Sequence, residues 1–319
     1  MKFKKAIFIC GHIKTGTSLI ASLLDGHTEL NVFPEEMFLF SKYSQFRKEK
    51  YSTYENFFQI FFNDPQIQRL FKEKDEGLFG NVDYSNFDAE NFKNKCISIK
   101  KDYKFNRDSI AAAFEIIFNA FEQKTEKKIP VEKTPMNELN FDFWLHHYPQ
   151  SKFIYMERDP LEVYSSIKKK REIEGTKYTP FNFILNYYMS NTFAKKKSKQ
   201  YPNHFKIVRL DDLKTNTKNK MQDVCNFLNI EYQSTMSETT KLGNEWHGNS
   251  MYSKTNKSKI INDENVNRKK ILSKLELNLI NYFLMEQKRI KPIYEFIFLK
   301  HDTKRYLKFK CNKLKLITG

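Results

Sequence analysis

Short apolar runs alternate with amphipathic stretches along most of the chain. Continuous apolar runs are typical of buried parallel strands, since both faces of such a sheet are covered, and they occur at residues 6–10, 129–132, 152–156 and 204–210. Apolar spacing near 3.6 residues predicts helices at residues 18–24, 38–46, 54–62, 109–121, 137–147, 161–171, 180–199 and 217–228. Alternating strands and helices favour one parallel α/β sheet.

Other stretches carry a weaker pattern. Residues 75–101 lack periodicity and are predicted to be irregular, and residues 234–262 form a long polar loop. Residues 264–286 show the apolar stripe of one long helix. We expect a single domain over residues 1–300 with a helical insertion at about 37–128, and a basic tail at 301–319.

The composition of the chain indicates an anionic partner but does not indicate which kind. The net charge of +17 suits anionic partners such as nucleotides, acidic glycans, nucleic acid or a membrane surface. The four cysteines have no metal-site spacing, which indicates reduced, buried thiols. The run at residues 6–10 is too short for a signal peptide, and no stretch reaches the length of a membrane span. These features predict a soluble, cytoplasmic protein.

A glycine-rich turn follows the first strand. Residues 11–18 read Gly-His-Ile-Lys-Thr-Gly-Thr-Ser, the spacing of a phosphate-binding loop whose amides and helix N-terminus cradle an anion. Thr17 stands where an ATP-binding loop has lysine, and the lysine is three places earlier, at Lys14. Arg158 follows the third predicted strand, a place where nucleoside triphosphatases hold a magnesium-binding aspartate. The loop therefore predicts phosphate binding without metal-assisted γ-phosphate chemistry.

The loop and the helix after it, Lys-Thr-Gly-Thr-Ser-Leu-Ile-Ala-Ser-Leu-Leu-Asp-Gly-His, resemble the sulfotransferases that use 3′-phosphoadenosine 5′-phosphosulfate (PAPS). The pattern is most similar to tyrosylprotein and bacterial carbohydrate sulfotransferases. The resemblance implies a three-layer, P-loop-type parallel sheet flanked by helices, with helical insertions. It also implies PAPS as donor, PAP as product and no metal. The residues it assigns to the donor's 5′ end are Lys14, Thr15, Gly16, Thr17 and Ser18.

A second segment carries the same resemblance. Arg158-Asp159-Pro160 ends a strand, and Ser166 lies eight positions after the arginine. In the family this pair binds the 3′-phosphate, which suits a guanidinium fork beside a hydroxyl. The structural alternative is an arginine paired with Asp159 or Glu162 at a helix start. A weaker match, Gly248-Asn249-Ser250, resembles a loop of bacterial members that folds over the nucleotide.

Candidate catalytic residues follow from the same resemblance. Lys14 is expected to neutralise the leaving group. The general base is Glu35 if the tyrosylprotein pattern applies, or Glu132 if the Glu-Lys-Thr pattern of heparan sulfotransferases applies, and we favour Glu35. Lys133 is expected to contact PAPS or the acceptor. A Lys-Thr-His base is absent from the sequence, which disfavours the cytosolic small-molecule subclass.

Two other functions remain open from the sequence. A P-loop kinase or nucleoside triphosphatase would bind ATP with Mg²⁺, and a non-catalytic protein would bind nucleic acid or acidic glycans by charge alone. We expect an acceptor (a glycan, a peptide tyrosine or a small molecule) and no nucleic-acid partner. The insertion at 37–128 is expected to shape the acceptor pocket. Oligomeric state is not indicated.

Overall fold

The computed structural model describes residues 3–46, 53–77, 80–98, 104–121, 129–248 and 268–285. The strands are β1 (Ile7–Gly11), β2 (Leu30–Val32), β3 (Lys74–Gly77), β4 (Gly80–Asp83), β5 (Ile129–Lys133), β6 (Lys152–Glu157), β7 (Phe205–Arg209), β8 (Thr240–Lys241) and β9 (Asn244–Glu245). The helices are α1 (Thr17–Asp25), α2 (Leu39–Phe46), α3 (Tyr54–Phe62), α4 (Ala89–Ile97), α5 (Ser109–Ala120), α6 (Phe141–His147), α7 (Pro160–Ile173), α8 (Pro180–Gln200), α9 (Leu210–Thr215), α10 (Thr217–Leu228) and α11 (Lys274–Ile280).

Five parallel strands form the central sheet in the order β2-β5-β1-β6-β7. Because β1 lies in the middle, the loop after it emerges at the carboxyl edge beside the ends of β5 and β6. Open parallel sheets bind ligands at this edge, where the strand order reverses. The predicted parallel sheet flanked by helices is confirmed.

Alternate side chains of β1 enter two different cores, as expected for a strand buried on both faces. Phe8 stacks on Trp144 at 4.7 Å between ring centroids and belongs to an aromatic core built largely from the insertion. Ile7 and Ile9 belong to an aliphatic core with α1 and α10. The sheet is thus held from both sides, which fixes the position of its carboxyl edge.

Several predicted segments differ from the structure. The described part of residues 75–101 is not irregular, because β3 and β4 form a hairpin and Asp88 caps α4 through the Asn91 amide. The long helix predicted at 264–286 is not continuous in its described part. A 3₁₀ turn at Arg268–Ile271 precedes Ser273, whose capping box starts α11, and a π-helical turn follows at Asn281–Met285.

Two further predictions concern loops. The polar loop predicted at 234–262 contains the β8–β9 hairpin in its described part. The helix predicted at 137–147 starts later, because a 3₁₀ turn (Asn137–Asn140) comes first and α6 follows it. The basic tail predicted at 301–319 lies outside the described residues. Within the described ranges, no helix combines the length and apolarity required to cross a bilayer.

Candidate active site

The phosphate loop joins the end of β1 to the start of α1. Gly16 precedes α1 with φ of 101°, a conformation that favours glycine. A Cβ at Gly16 would lie 2.6 Å from Cδ1 of Leu210, so the close approach of α9 also requires glycine here. The result is a helix N-terminus that faces the carboxyl edge of the sheet, as in anion-binding loops.

Lys14 supplies a cation within this loop, in a left-handed conformation with φ of 67°. Burial lowers the pKa of Lys14 to about 8, the nearby Lys170 acts in the same direction, and Glu36 opposes it. A cation held in this way is partly desolvated, which strengthens its interaction with an anion that replaces water. Its charge also becomes sensitive to mildly alkaline pH.

Arg158, at the end of β6, lies against the phosphate loop. Its Nη1 donates to the carbonyl oxygen of Lys14 at 3.0 Å and to Oγ of Ser166 at 3.4 Å. Its Nη2 forms an ion pair with Glu162 at 2.8 Å. The structure therefore brings together Lys14, Arg158 and Ser166, and the Glu162 pair that the sequence offered as an alternative is also formed.

Lys133 connects β5 to the phosphate loop from the other side. Its Nζ donates to Oγ of Ser18 at 3.3 Å and to Glu36 at 2.9 Å. Ser18 lies in the first turn of α1, next to Thr17. The amine thus lies beside the helix N-terminus, where it adds positive charge to that of the loop amides.

Glu132 lies one residue earlier on β5 and is 2% exposed. Its carboxylate accepts hydrogen bonds from the Thr134 hydroxyl and, at 2.8 Å, from Nδ2 of Asn137. Burial raises the pKa of Glu132 to about 7, although these hydrogen bonds oppose the shift. A carboxylate with this pKa is a competent proton acceptor at neutral pH.

A cavity of about 140 Å³ adjoins Glu132. Thr134 and Met136, which line the cavity, are hydrogen-bonded to the end of β1. The Thr134 amide donates to the carbonyl oxygen of Ile9, and the Met136 amide donates to that of Gly11. The cavity lining is partly apolar and partly polar: Phe38, Leu39, Phe40, Pro135, Met136 and Trp144, with Ser41, Glu132, Thr134, Asn137 and Asn140. The cavity therefore lies next to the phosphate loop with one carboxylate in its wall.

Glu35 occupies a different environment. Its two oxygens are shared among Arg69 at 2.9 Å, Lys241 at 2.5 Å and the Tyr84 hydroxyl. Burial alone would raise the pKa of Glu35, but Lys241, Arg69 and Lys133 together hold it below its ordinary value. A carboxylate with two cationic partners is a weak base.

Comparison with known proteins identifies the family. A model described as "Sulfotransferase family" matches residues 6–234, a span that includes both the loop after β1 and the Arg158 segment. This chain belongs to the sulfotransferase family. The family predicted from the loop and the Arg158 segment is therefore confirmed.

Solved structures agree with this sulfotransferase in fold. The sulfotransferase domain from the Synechococcus PCC 7002 olefin synthase aligns with a TM-score of 0.50 and 15% identity, over 79% of this chain and 78% of that chain. The sulfotransferase domain from the curacin biosynthetic pathway aligns with a TM-score of 0.50 and 18% identity, over the same shares. No curated protein sequence matches this chain.

The other predicted residues of the sulfotransferase site contribute in different ways. The Thr15 hydroxyl donates to the carbonyl of His12 at 2.6 Å and so stabilises the loop internally. Thr17 is buried at the start of α1. Gly248 is described, with φ of 82°, whereas Asn249 and Ser250 lie outside the described residues.

Two histidines near the sulfotransferase loop have structural partners. His12 packs edge-on against Phe183, and burial lowers its pKa to about 4, so it is neutral at physiological pH. The ring of His27 bonds to the carbonyl of Glu231 at 2.8 Å and to the amide of Glu29 at 3.1 Å.

Other groups at the sulfotransferase site were not predicted. Lys269 lies 3.4 Å from Asp159, next to Arg158, although it is 110 residues away in sequence. Thr134 and Asn137 orient Glu132, and the Glu-Lys-Thr-Pro-x-Asn spacing was the available signal for them. Among the described residues, no cluster of three or more His, Cys, Asp or Glu side chains is arranged to hold a metal ion.

Proposed function

We propose that this sulfotransferase moves the sulfonate group of PAPS to a hydroxyl or amine of an acceptor. The position of Arg158 carries the proposal, because its guanidinium contacts the phosphate loop at Lys14 and the Ser166 hydroxyl at once. Two anion pockets that share one arginine suit a nucleotide with phosphates at both its 3′ and 5′ ends. When bound, PAPS supplies an activated sulfonate on a phosphate leaving group.

Different residues around the loop bind different groups of the donor in this proposal. Arg158 and Ser166 hold the 3′-phosphate, because a guanidinium and a hydroxyl together satisfy several phosphate oxygens. Thr17, Ser18 and the loop amides at the start of α1 hold the 5′-phosphate. Lys14 and Lys133 provide positive charge on either side of that position, where charge develops on the leaving oxygen.

We assign the general base to Glu132 in preference to Glu35. Glu132 lines the cavity and its pKa of about 7 lets it accept a proton at neutral pH. Thr134 and Asn137 fix its carboxylate, so the proton of an acceptor hydroxyl in the cavity would meet a positioned oxygen. In-line attack by that hydroxyl would then proceed as its proton passes to Glu132.

Glu35, the base favoured by the tyrosylprotein pattern, receives a structural role in this proposal. Its pairs with Arg69 on the insertion and Lys241 on the β8–β9 hairpin join two segments that are distant in sequence. Both partners are needed to compensate the burial of its charge. Proton acceptance at Glu35 would break that compensation.

A binding comparison tests the donor. PAP should raise the melting temperature in the presence of EDTA, and ADP, which lacks the 3′-phosphate, should raise it much less. Arg158→Ala should remove the difference between PAP and ADP, whereas Arg107→Ala, an arginine of the insertion, should keep it. Stabilisation by ATP with Mg²⁺ and none by PAP would instead favour a kinase or nucleoside triphosphatase.

A transfer assay tests the acceptor. The cavity presents aromatic walls with hydroxyl and amide groups beside Glu132, which suits a ring-bearing alcohol or a sugar. Sulfur-labelled PAPS would be incubated with glycans, lipids, phenols and tyrosine peptides, and the Glu132→Gln protein would serve as control. Transfer that proceeds equally well in that variant would refute the assignment of the base.

A further inference from the structure

A second buried carboxylate, Glu138, lies beneath the start of the phosphate loop and has no role in the proposed chemistry. It is fully buried. Its Oε2 accepts the backbone N–H of Gly11 at 3.2 Å, and its Oε1 accepts the Ser190 hydroxyl at 2.5 Å. Ser190 in turn is hydrogen-bonded to the Tyr155 hydroxyl at 2.9 Å. Glu138 therefore ties the first residue of the loop to α8 and β6.

The segment that carries Glu138 holds Gly11 by both of its backbone groups. The Met136 amide donates to the Gly11 carbonyl at 2.9 Å, while Glu138 accepts from the Gly11 amide. Gly11 has φ of 133°, and a Cβ there would lie 2.7 Å from the carbonyl oxygen of Met156, so the chain must leave β1 in one direction. The same turn orients the proposed base, because Asn137 bonds to Glu132 at 2.8 Å.

The hydrogen bonds to the Glu138 carboxylate come from uncharged groups. No lysine, arginine or histidine of the described ranges forms an ion pair with it, and its hydrogen-bond donors are the Gly11 amide and the Ser190 hydroxyl. The Cys10 thiol lies nearby and donates to the carbonyl oxygen of Ile154. Glu132 on β5 is another buried carboxylate that acts, with Glu138, on the Cys10 thiol. The other titratable groups that face Glu138 are Cys10 from β1 and, through Ser190, Tyr155 from β6. Burial raises the pKa of both well above the ordinary value, so both are protonated at neutral pH.

Burial also raises the pKa of Glu138 to about 7, with the hydrogen bonds from Ser190 and Gly11 opposing. Both of its protonation states are therefore populated near neutral pH. The Gly11 amide finds an acceptor oxygen in either state. A protonated Glu138 can donate to Ser190, whose hydroxyl then turns toward Tyr155. An anion bound on the loop would repel a charged Glu138 and so favour the protonated form.

We propose that Glu138 is a positioning residue of the phosphate loop and that it takes up a proton from solvent when a nucleotide phosphate binds there. The positioning role is argued from the hydrogen bond between Glu138 and the Gly11 amide, which is present without a ligand. The proton-uptake half rests on the proposed function, since PAP is the ligand used to test it.

Amide hydrogen exchange without nucleotide tests the positioning half. Glu138→Ala should speed exchange in the peptide covering residues 7–19 by at least about tenfold, because the Gly11 amide loses its acceptor. Glu138→Gln keeps a carbonyl oxygen and should change exchange little. The exchange rate of Ser190→Ala, which removes one hydrogen bond to the carboxylate, should lie between those two. This variant replaces Glu138→Ala if the latter does not fold.

Glu115→Gln is the matched control, since Glu115 accepts the Phe3 amide far from the loop. Exchange in Glu138→Ala or Ser190→Ala equal to that of the parent would overturn the positioning role.

Calorimetry of PAP binding tests proton uptake. At pH 7, titrations in buffers of different ionisation enthalpy should show more protons bound by the parent than by Glu138→Gln. Affinity should fall from pH 6 to pH 8 by about fivefold more in the parent, the effect of a one-unit rise in the pKa of Glu138 on binding. Lys14 is present in both proteins, so its own titration cancels.

Equal proton uptake in the two proteins would refute the coupling. Failure of the parent to bind PAP would refute the proposed donor and this coupling together, while the exchange experiment would still decide the positioning role.

Discussion

The assignment of Glu132 as base makes a quantitative prediction about pH. The rate constant kcat/KM for the acceptor, measured at saturating PAPS, should follow the ionised fraction of Glu132. With a pKa of about 7, that fraction rises from about 0.09 at pH 6 to about 0.91 at pH 8, so the rate should increase roughly tenfold. The sign follows because the base must be ionised to accept a proton.

The assay requires an acceptor whose own hydroxyl does not titrate in this range. Glu132→Gln should lower the rate on the order of 10²–10⁴-fold and should abolish the pH dependence near 7. Glu115→Gln, remote from the site, should keep both the rate and the profile. Saturating PAPS ensures that changes in donor affinity do not contribute.

The same measurement distinguishes the two candidate bases. Lys241 and Arg69 hold the pKa of Glu35 below its ordinary value against the effect of burial. A reaction that used Glu35 would therefore show no change between pH 6 and pH 8. A flat profile over this range, or an acid limb that persists in Glu132→Gln, would refute the assignment of Glu132.

Three further predictions concern the loop and its support. Lys14→Met should lower kcat/KM for PAPS on the order of 10²–10³-fold, and it should remove an alkaline fall near pH 8, where the parent amine loses its charge; a fall that persists would contradict this origin. Gly16→Ala should lower the free energy of unfolding in urea by roughly 2–4 kcal/mol, from backbone strain and the clash behind the loop, whereas Gly175→Ala, also at positive φ but with no atom within 4 Å of its Cβ, should cost about 1 kcal/mol. Equal losses would show that the clash is relieved. Lys241→Met should destabilise the fold by about 3 kcal/mol in the same measurement, since Glu35 loses one of its two cations; an unchanged midpoint would show that Arg69 suffices.

Much of the donor side could be predicted because its signals are local in sequence. The strand, loop and helix around Gly16 are contiguous in sequence, from Ile7 to Asp25. The predicted helix at 217–228 coincides with α10 (Thr217–Leu228). The β6 strand and the Arg158 turn are similarly continuous. The short edge strand β2, with three residues, carries too little pattern to stand out.

The acceptor side could not be predicted in the same way, because its electrostatics depend on distant residues. Glu35 and Glu132 both follow apolar runs in the sequence, and nothing local separates them. Their difference arises from Arg69 and Lys241, which approach Glu35 from elements far apart in the chain. The amphipathic pattern of the insertion's aromatic stretches predicts the helices α2, α3 and α5, which are confirmed. The β3–β4 hairpin between α3 and α5 alternates too weakly to be predicted.

The β8–β9 hairpin has a consequence for the order in which the molecule is completed. Asp25, at the end of α1, accepts the amide of Gly243 at 2.9 Å and the hydroxyl of Thr240 at 2.8 Å, contacts that span more than two hundred residues. During synthesis, the central strands and the phosphate loop can assemble before these residues leave the ribosome. Lys241 belongs to the same hairpin, so a nascent chain can form the central strands and the loop after β1 while the buried carboxylate of Glu35 still lacks one of its two cations.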